Sequence, residues 1–158
     1  MASLDHVDLE LLAALAEDPR ATVVALAERL HLSRNTVQAR MGRLEKSGAF
    51  RSFERSISTA ALGFPLEAFI AVGVRQPHLQ KITAELARLP EVLQVHGLSG
   101  QTDLMTFVAC RDARHLFDVD GRILGIEGVE RTETSLVMSE AIPYRVSGLM
   151  ELAKRDGR

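Results

Sequence analysis

Over the first fifty positions, apolar residues return at helical spacing in three short runs. In the first, Leu11, Leu12 and Leu15 supply a packing face, and Leu4 and Leu9 are spaced as a hydrophobic staple. Asp5 stands where a cap belongs and Asp8 at the third helical position; both acids suit the positive end of the helix dipole, and Asp18-Pro19 closes the run. Val23, Leu26, Ala27 and Leu30 then recur at i, i+3, i+4 and i+7, the stripe of a short amphipathic helix. His31-Leu32 break the pattern, and Ser33 is a good cap for a third helix. There Val37, Met41 and Leu44 face inward, which leaves Arg34, Asn35, Thr36, Gln38, Arg40 and Arg43 pointing out. Lys46 and Gly48 supply a C-terminal cation and cap. The pattern predicts a three-helix unit in which the first helix roofs the other two.

The second half changes period. Leu66–Val74 is apolar and rich in β-compatible residues, and reads as a strand. Leu79, Ile82, Leu86 and Leu89 form a helical stripe ended by Pro90. Strands are expected over 92–98, 103–110 and 129–138, with a turn at Ser99, Gly100, Gln101 and Thr102, and a helix over 115–124 carried by Leu116, Val119 and Ile123. The order βαββαβ is that of a ferredoxin-like sandwich, with helices on one face of an antiparallel sheet and an open face that needs a partner or ligand to cover it. The fold class is α+β. Between the halves, Phe50, Phe53 and Ile57 suggest an extended linker strand, although strict alternation is absent, and Gly63-Phe64-Pro65 marks the entry to the second domain. The expected division is residues 1–50, a helix-turn-helix domain; 51–64, a linker strand or hinge; 65–140, the ferredoxin-like domain; and 141–158, a tail whose charged end, from Met150, frays.

Composition narrows the class. With 46% hydrophobic and 25% charged residues the chain is globular. No apolar run approaches a membrane span, and the N-terminus lacks a basic region followed by an apolar core. Cys110 is the single cysteine, which fits a reducing cytoplasm, and it is read as a small buried hydrophobe. The five His are scattered outside metal-ligand spacing, so no metal site is expected. Gly97-Leu98-Ser99-Gly100 has neither the lysine nor the helix entry of a phosphate loop.

A net charge of −2 argues against nucleic acid until its distribution is seen. Residues 1–28 balance at −5, 29–55 at +5 and 56–158 at −2. Positive charge is concentrated where the third helix lies, and such a patch can release counterions from DNA even on an acidic protein. Asn and Gln pair bidentately with adenine, and Arg with guanine or with phosphate. A helix-turn-helix touches bases with the N-terminal turn of its second helix. On this pattern the outward Arg34, Asn35, Thr36, Gln38, Arg40 and Arg43 are the candidates for meeting double-stranded DNA.

Three segments carry a family resemblance over nearly the whole chain: LDHVDLELLAAL at the start, LAERLHLSRNTVQARMGRLEKSGAF in the reader, and LPEVLQVHGLSGQTDL followed by GVERTETSLVM behind. The chain resembles the Lrp/AsnC (feast/famine) family of bacterial and archaeal transcriptional regulators. The resemblance implies a winged-type helix-turn-helix, a linker strand and a C-terminal effector and assembly domain. It implies homodimers formed through the sheets, often assembled to octamers, with amino acids bound at interfaces between dimers. The family's base-contacting helix falls on Ser33 to Leu44, which implies Arg34, Asn35, Thr36 and Gln38 for bases and Ser33, Arg40 and Arg43 for phosphates. His31 takes a turn position where the family often has Gly. The family's effector motif resembles a Gly-Asp-x-Asp turn, which here reads Gly100-Gln101-Thr102-Asp103, so the first acid has become Gln101. Turn amides and an Asp suit the carboxylate and ammonium of an amino acid. Thr132, Thr134 and Ser135 of the final strand are expected to reach the same interface. Effector binding there would favour one packing of dimers over another, and so change the spacing at which paired reading heads meet DNA.

Two alternatives share the architecture. One is an enzyme like the sirohaem decarboxylases, which resemble the same family and use His and Arg; His96, on a strand, has no obvious catalytic partner nearby in sequence. The other is an effector-sensing assembly module that does not bind DNA. The expectation is a regulator with no catalytic residues and no cofactor.

Overall fold

The computed structural model describes residues 4–156, so the ends of the expected first domain (1–3) and tail (157–158) lie outside the described residues. It divides into two compact units. One runs to Phe53 and resumes at Ile142; the other is Glu54–Ala141.

In the first unit, α1 (His6–Glu17) begins with a capping box: Asp5 accepts from the backbone N–H of Asp8, and Asp8 from that of Asp5. α2 (Val23–Arg29) is capped by Thr22 and α3 (Arg34–Lys46) by Ser33. The turn between them closes through His31 at φ 54, the non-glycine residue with left-handed backbone among those described, and through the Leu32 N–H donating to Ala27 O at 2.9 Å. Gly48 at φ 74 ends α3, as the cap reading requires. Leu11, Ala14, Leu26, Ala27, Val37 and Leu44 form the core, with Leu4, Met41 and Phe50 packed against it.

Three expectations change here. The chain after α3 forms 3-10 turns at Phe53–Ser56 and Ala60–Leu62 rather than a linker strand. An extended segment without a ladder partner leaves its backbone unpaired, and local bonds such as Ile57 N–H to Glu54 O take over. For the same reason no β-hairpin wing follows α3 among the described residues. The tail, expected to fray, contains α6 (Ser147–Arg155), which packs beside α1 in the first unit. Met150, Ala153 and Lys154 are its half-buried positions, and burying the two apolar side chains offsets the charge that marked the segment as loose.

The second unit is a four-stranded antiparallel sheet in the order β2-β3-β1-β4: β1 Leu66–Val74, β2 Val92–Gly97, β3 Leu104–Cys110 and β4 Val129–Leu136. α4 (Leu79–Leu86) and α5 (Ala113–Leu124) cover one face. The core beneath them joins Ala68, Ile70, Val72, Val108 and Cys110 to Ile82, Leu86, Leu116, Val119 and Ile123. Burial pushes the Cys110 thiol up, as its reading as a buried hydrophobe implies. Glu91, ahead of β2, ties α5 down: Arg122 donates to it at 2.6 Å and His115 Nε2 lies 2.9 Å away. Burial alone would raise the Glu91 carboxyl; the bonds from Arg122 and His115 outweigh it, and the group titrates below its ordinary value. The opposite face carries the Phe69–Phe107 ring pair, centroids 4.9 Å apart. No helix among the described residues is long and apolar enough to cross a membrane.

Candidate nucleic-acid interface and effector pocket

At about 100° per residue, Asn35 and Ala39 fall on the side of α3 opposite Val37 and Leu44, and Gln38 stands about 100° round from Val37 on one flank. Arg34, Asn35, Thr36 and Gln38 are all exposed. Ser33 Oγ accepts from the Thr36 N–H at 3.1 Å and lies 2.8 Å from Thr36 Oγ1, so the two hydroxyls are tied together at the helix start, where unpaired backbone N–H groups point outward. This is an acceptor-seeking surface: a helix N-terminus, a guanidinium and two amides on one turn and a half.

Arg40, 22% exposed, departs from the expected outward face; Arg43 keeps 54% exposure but is drawn to the same carboxylates. They stand about 60° and 120° round the helix from Val37, on the flank that meets α1. Arg40 Nη1 donates to both carboxylate oxygens of Asp5 at 2.7 Å and to Asp8 Oδ1 at 2.7 Å. Arg43 Nη2 donates to the two Asp8 oxygens at 2.7 and 2.6 Å and lies 3.6 Å from Asp5. The Asp8 side chain is 1% exposed and that of Arg40 22%. The Arg40 hydrogen bond draws the Asp5 carboxyl below its ordinary value. Burial pushes Asp8 upward, but the bonds from Arg43 and then Arg40 outweigh it and hold that carboxyl low as well. In return, Asp5 and Asp8 raise Arg40. Arg29 is likewise paired, with Glu17. Three of the seven cations of residues 29–55, Arg29, Arg40 and Arg43, are thus met by carboxylates of α1 and its cap, and the N-terminal half of α3 carries the exposed polar chemistry.

In the second unit a pocket of about 250 Å³ opens on the helix-free face of the sheet, lined by Ala71, Gly73, Gln101, Thr102, Arg131 and Glu133. Register makes it: Gly73 faces Arg131 and Ala71 faces Glu133 across the β1–β4 ladder. Gly73 leaves room for the Arg131 side chain, since a Cβ there would come within 2.9 Å of Arg131 Cγ. Arg131 therefore lies across the backbone of β1 and donates through Nη2 to the Gln101 carbonyl at 2.7 Å. A cation and a carboxylate, two residues apart on one strand face, flank the turn that the sequence singled out.

The other expected effector residues divide. Gly100, at φ 131, shapes the turn. Asp103, expected to meet an ammonium, accepts instead from the Val74 N–H and the Gln76 amide, both at 2.9 Å, and so secures the end of β1. Thr132 and Thr134 point to the helical face, where their hydroxyls bond Asp120 of α5 at 3.2 and 2.8 Å. Ser135 alternates with them onto the open face, opposite Phe69. Arg131, Glu133, Ala71 and Gly73 were absent from the sequence reading; the i, i+2 spacing of Arg131 and Glu133 was the available signal. His96 is exposed on the edge strand β2.

Comparison with known proteins fixes the class. Residues 4–45 match the AsnC-type helix-turn-helix domain and residues 67–147 the Lrp/AsnC ligand binding domain. The chain belongs to the Lrp/AsnC family of transcriptional regulators. It is 33% identical to an uncharacterized HTH-type transcriptional regulator of Pyrococcus abyssi, over 86% of this chain and 87% of that protein. A transcriptional regulator of Neisseria meningitidis, solved as its complex with L-Met, superposes with a TM-score of 0.81 at 29% identity, covering 92% of this chain and 99% of the other. The fold is also that of E. coli AsnC, TM-score 0.83 at 24% identity, over 91% and 98% of the two chains. The protein is a DNA-binding regulator with a ligand-binding domain, and neither alternative architecture-sharing reading is favoured.

Proposed function

We propose that this regulator reads its operator with the N-terminal half of α3 and answers to an amino acid held against β4. The observation that carries the reading is the exposed Arg34, Asn35, Thr36 and Gln38 cluster on a Ser33-capped helix start. Arg34 suits guanine, Asn35 and Gln38 suit adenine, Thr36 stands beside them as the fourth base-facing candidate, and Ser33 suits the adjacent phosphate. Replacing Arg34 and Gln38 together by Ala weakens binding to a selected operator by about 1–3 kcal/mol for each lost base pairing. A double variant that binds as tightly as wild type would remove the assignment.

The effector half of the proposal rests on Arg131 and Glu133 sharing one strand face beside Gln101 and Thr102. An α-amino acid presents a carboxylate that the guanidinium can take and an ammonium that Glu133 can take, and the turn backbone borders both. Gln101, standing where the family resemblance has an acid, leaves Glu133 as the lining carboxylate. The Neisseria neighbour was solved with L-Met, which supports an amino acid as the ligand class. Calorimetry with each of the common L-amino acids tests the pocket: at least one binds, and Arg131→Ala and Glu133→Gln each weaken it about tenfold or more. Absence of binding across the set would reject the effector class.

Pairing of heads follows from the small reading surface. One helix start touches few bases, so the reader works as a homodimer joined through the open sheet faces that carry Phe69 and Phe107, with octamers as the larger assembly. Binding at the pocket then shifts the assembly and the spacing of reading heads. The protein acts without catalytic residues or cofactor, in the cytoplasm beside its DNA. Sedimentation and DNA footprints, with and without the bound amino acid, change together on this reading; no change in either would count against it.

A further inference from the structure

Helix α3 has to be held at one rotation about its own axis for Arg34, Asn35 and Gln38 to meet base edges. An error of one residue's worth, about 100°, replaces one set of side chains by another. Apolar packing of Val37 and Leu44 excludes so large a turn, but it sets the fine rotation less sharply than directional bonds do. The directional contacts on this helix come from the acid pair of α1. Asp8 is fixed at both ends. Its backbone and side chain belong to the capping box with Asp5, and its carboxylate, 1% exposed, accepts from Arg40 and Arg43 together. Arg40 and Arg43 are three residues apart, on neighbouring turns of one flank, so two charge-assisted bonds to one buried carboxylate define both the height and the rotation of α3 against α1.

We infer that Asp8 is the positioning residue of the reading helix, and that Arg40 and Arg43 serve this grip rather than contacting DNA phosphates. The inference rests on α3 being the reading helix. The Arg34→Ala/Gln38→Ala pair tests that premise separately, because those residues touch neither Asp5 nor Asp8 in any bond described above.

Two properties distinguish a grip from a phosphate contact. A phosphate contact acts on every duplex and sets the salt dependence, with each lost contact lowering the slope of log affinity against log salt by about 1. A grip acts on the registration of base-reading side chains, so its loss falls on the specific complex and leaves non-specific affinity and slope nearly as they were. Asp8→Asn separates them sharply, because it keeps both arginine charges and nearly the same shape. If Arg40 and Arg43 were phosphate ligands held in check by Asp8, the variant would bind all DNA more tightly and with a steeper slope.

The experiment uses the full chain, a duplex selected from a random pool by the wild-type protein, and poly(dI-dC) as the non-specific duplex. Affinities are measured over a salt series, at a temperature where circular dichroism shows each variant folded. Asp8→Asn is expected to lose about tenfold or more on the selected duplex, with less than about twofold change on poly(dI-dC) and an unchanged slope. Asp8→Glu, which keeps the charge and supplies the residue a capping box most often uses, recovers most of the loss. Asp5→Asn retains an equally good cap and removes one anion from Arg40, so it gives a smaller loss of the same kind and keeps the test open where Asp8→Asn does not fold. Arg43→Gln lowers specific affinity without taking a full unit from the slope. Tighter binding of Asp8→Asn to both duplexes, or a slope lower by about 1 in Arg43→Gln, would overturn the inference. So would equal losses on the two duplexes.

Discussion

The reading helix α3 and the final strand β4 both offer a row of polar side chains, and the fold uses the two rows differently. On α3 angle alone does not decide. Gln38 and Arg43 stand about equally far round from Val37 on opposite flanks; Gln38 faces solvent, while Arg40 and Arg43 are on the flank beside α1 and the carboxylates of Asp5 and Asp8 take them. On β4 there is no flank. Thr132 and Thr134 face α5 and bond Asp120; Arg131, Glu133 and Ser135 face the open side. A helix thus decides by reach and by the charge of the nearest element, whereas a strand decides by parity. A polar residue on a helix flank is committed by its partner, and one on a strand by its count from the nearest core residue.

The largest effect should come from removing the partner on the helix side. Asp8→Ala removes the buried carboxylate that both guanidinium groups share and half of the capping box, and should cost the first unit about 2 kcal/mol in denaturant unfolding. Acid tests the same contacts. The Asp5 and Asp8 carboxyls are held below their ordinary values, so the stability they contribute is complete above the unfolded value of about 3.9 and is lost as pH falls through the lower folded values. Unfolding of Asp8→Asn should show a shallower loss with acid below about pH 4 than wild type. If the two acid profiles coincide, the carboxylates are ordinary surface groups and the contrast with β4 fails.

The comparison also explains what could be read from the chain. The three N-terminal helices and their Asp5 and Ser33 caps were legible because each rests on neighbours within four or five residues, and the β1 span because a continuous apolar run marks a strand whatever it pairs with. Roles settled by distant residues were less so. Nothing near Arg40 announces that Asp5 and Asp8 lie beside it, thirty-five and thirty-two positions away. The run VERTETSL has no apolar alternation to set its parity, so Thr132, Thr134 and Ser135 looked equivalent although they face opposite sides. Arg131 and Glu133 became site residues only once the register placed Gly73 and Ala71 opposite them. The segments at Phe53–Ser56 and Ser147–Arg155 differ from the expected strand and loose tail for a related reason: whether a weakly patterned stretch becomes strand, turn or helix depends on what it can pair with or pack on.

An intermediate effect is expected on the strand side, at a residue with no chemistry of its own. Gly73→Ala brings a Cβ to 2.9 Å from Arg131 Cγ, and a contact that close must be relieved by moving the arginine off the β1 backbone. Effector affinity should then fall about tenfold, as for Arg131→Ala, while stability drops by about 1 kcal/mol. Calorimetry beside thermal unfolding separates the two. Unchanged affinity in Gly73→Ala would mean that the position of Arg131 over the pocket floor does not matter to binding, and that strand register does not define the site.

The smallest effect is the most direct test of parity. Thr132→Val and Thr134→Val keep shape and remove the hydroxyls that bond Asp120. Each should cost about 0.5–1 kcal/mol, toward the lower figure for the exposed Thr134, since its lost bond is partly replaced by water. Neither should alter amino-acid affinity, because both side chains lie on the α5 side of the sheet and the pocket opens on the other. Ser135→Ala, on the pocket side and two residues beyond Glu133, is the control that parity permits to act. If a threonine variant weakens the effector while Ser135→Ala does not, then ligand contacts reach the helical face of β4, and the rule that assigns one face to packing and the other to recognition does not hold for this strand.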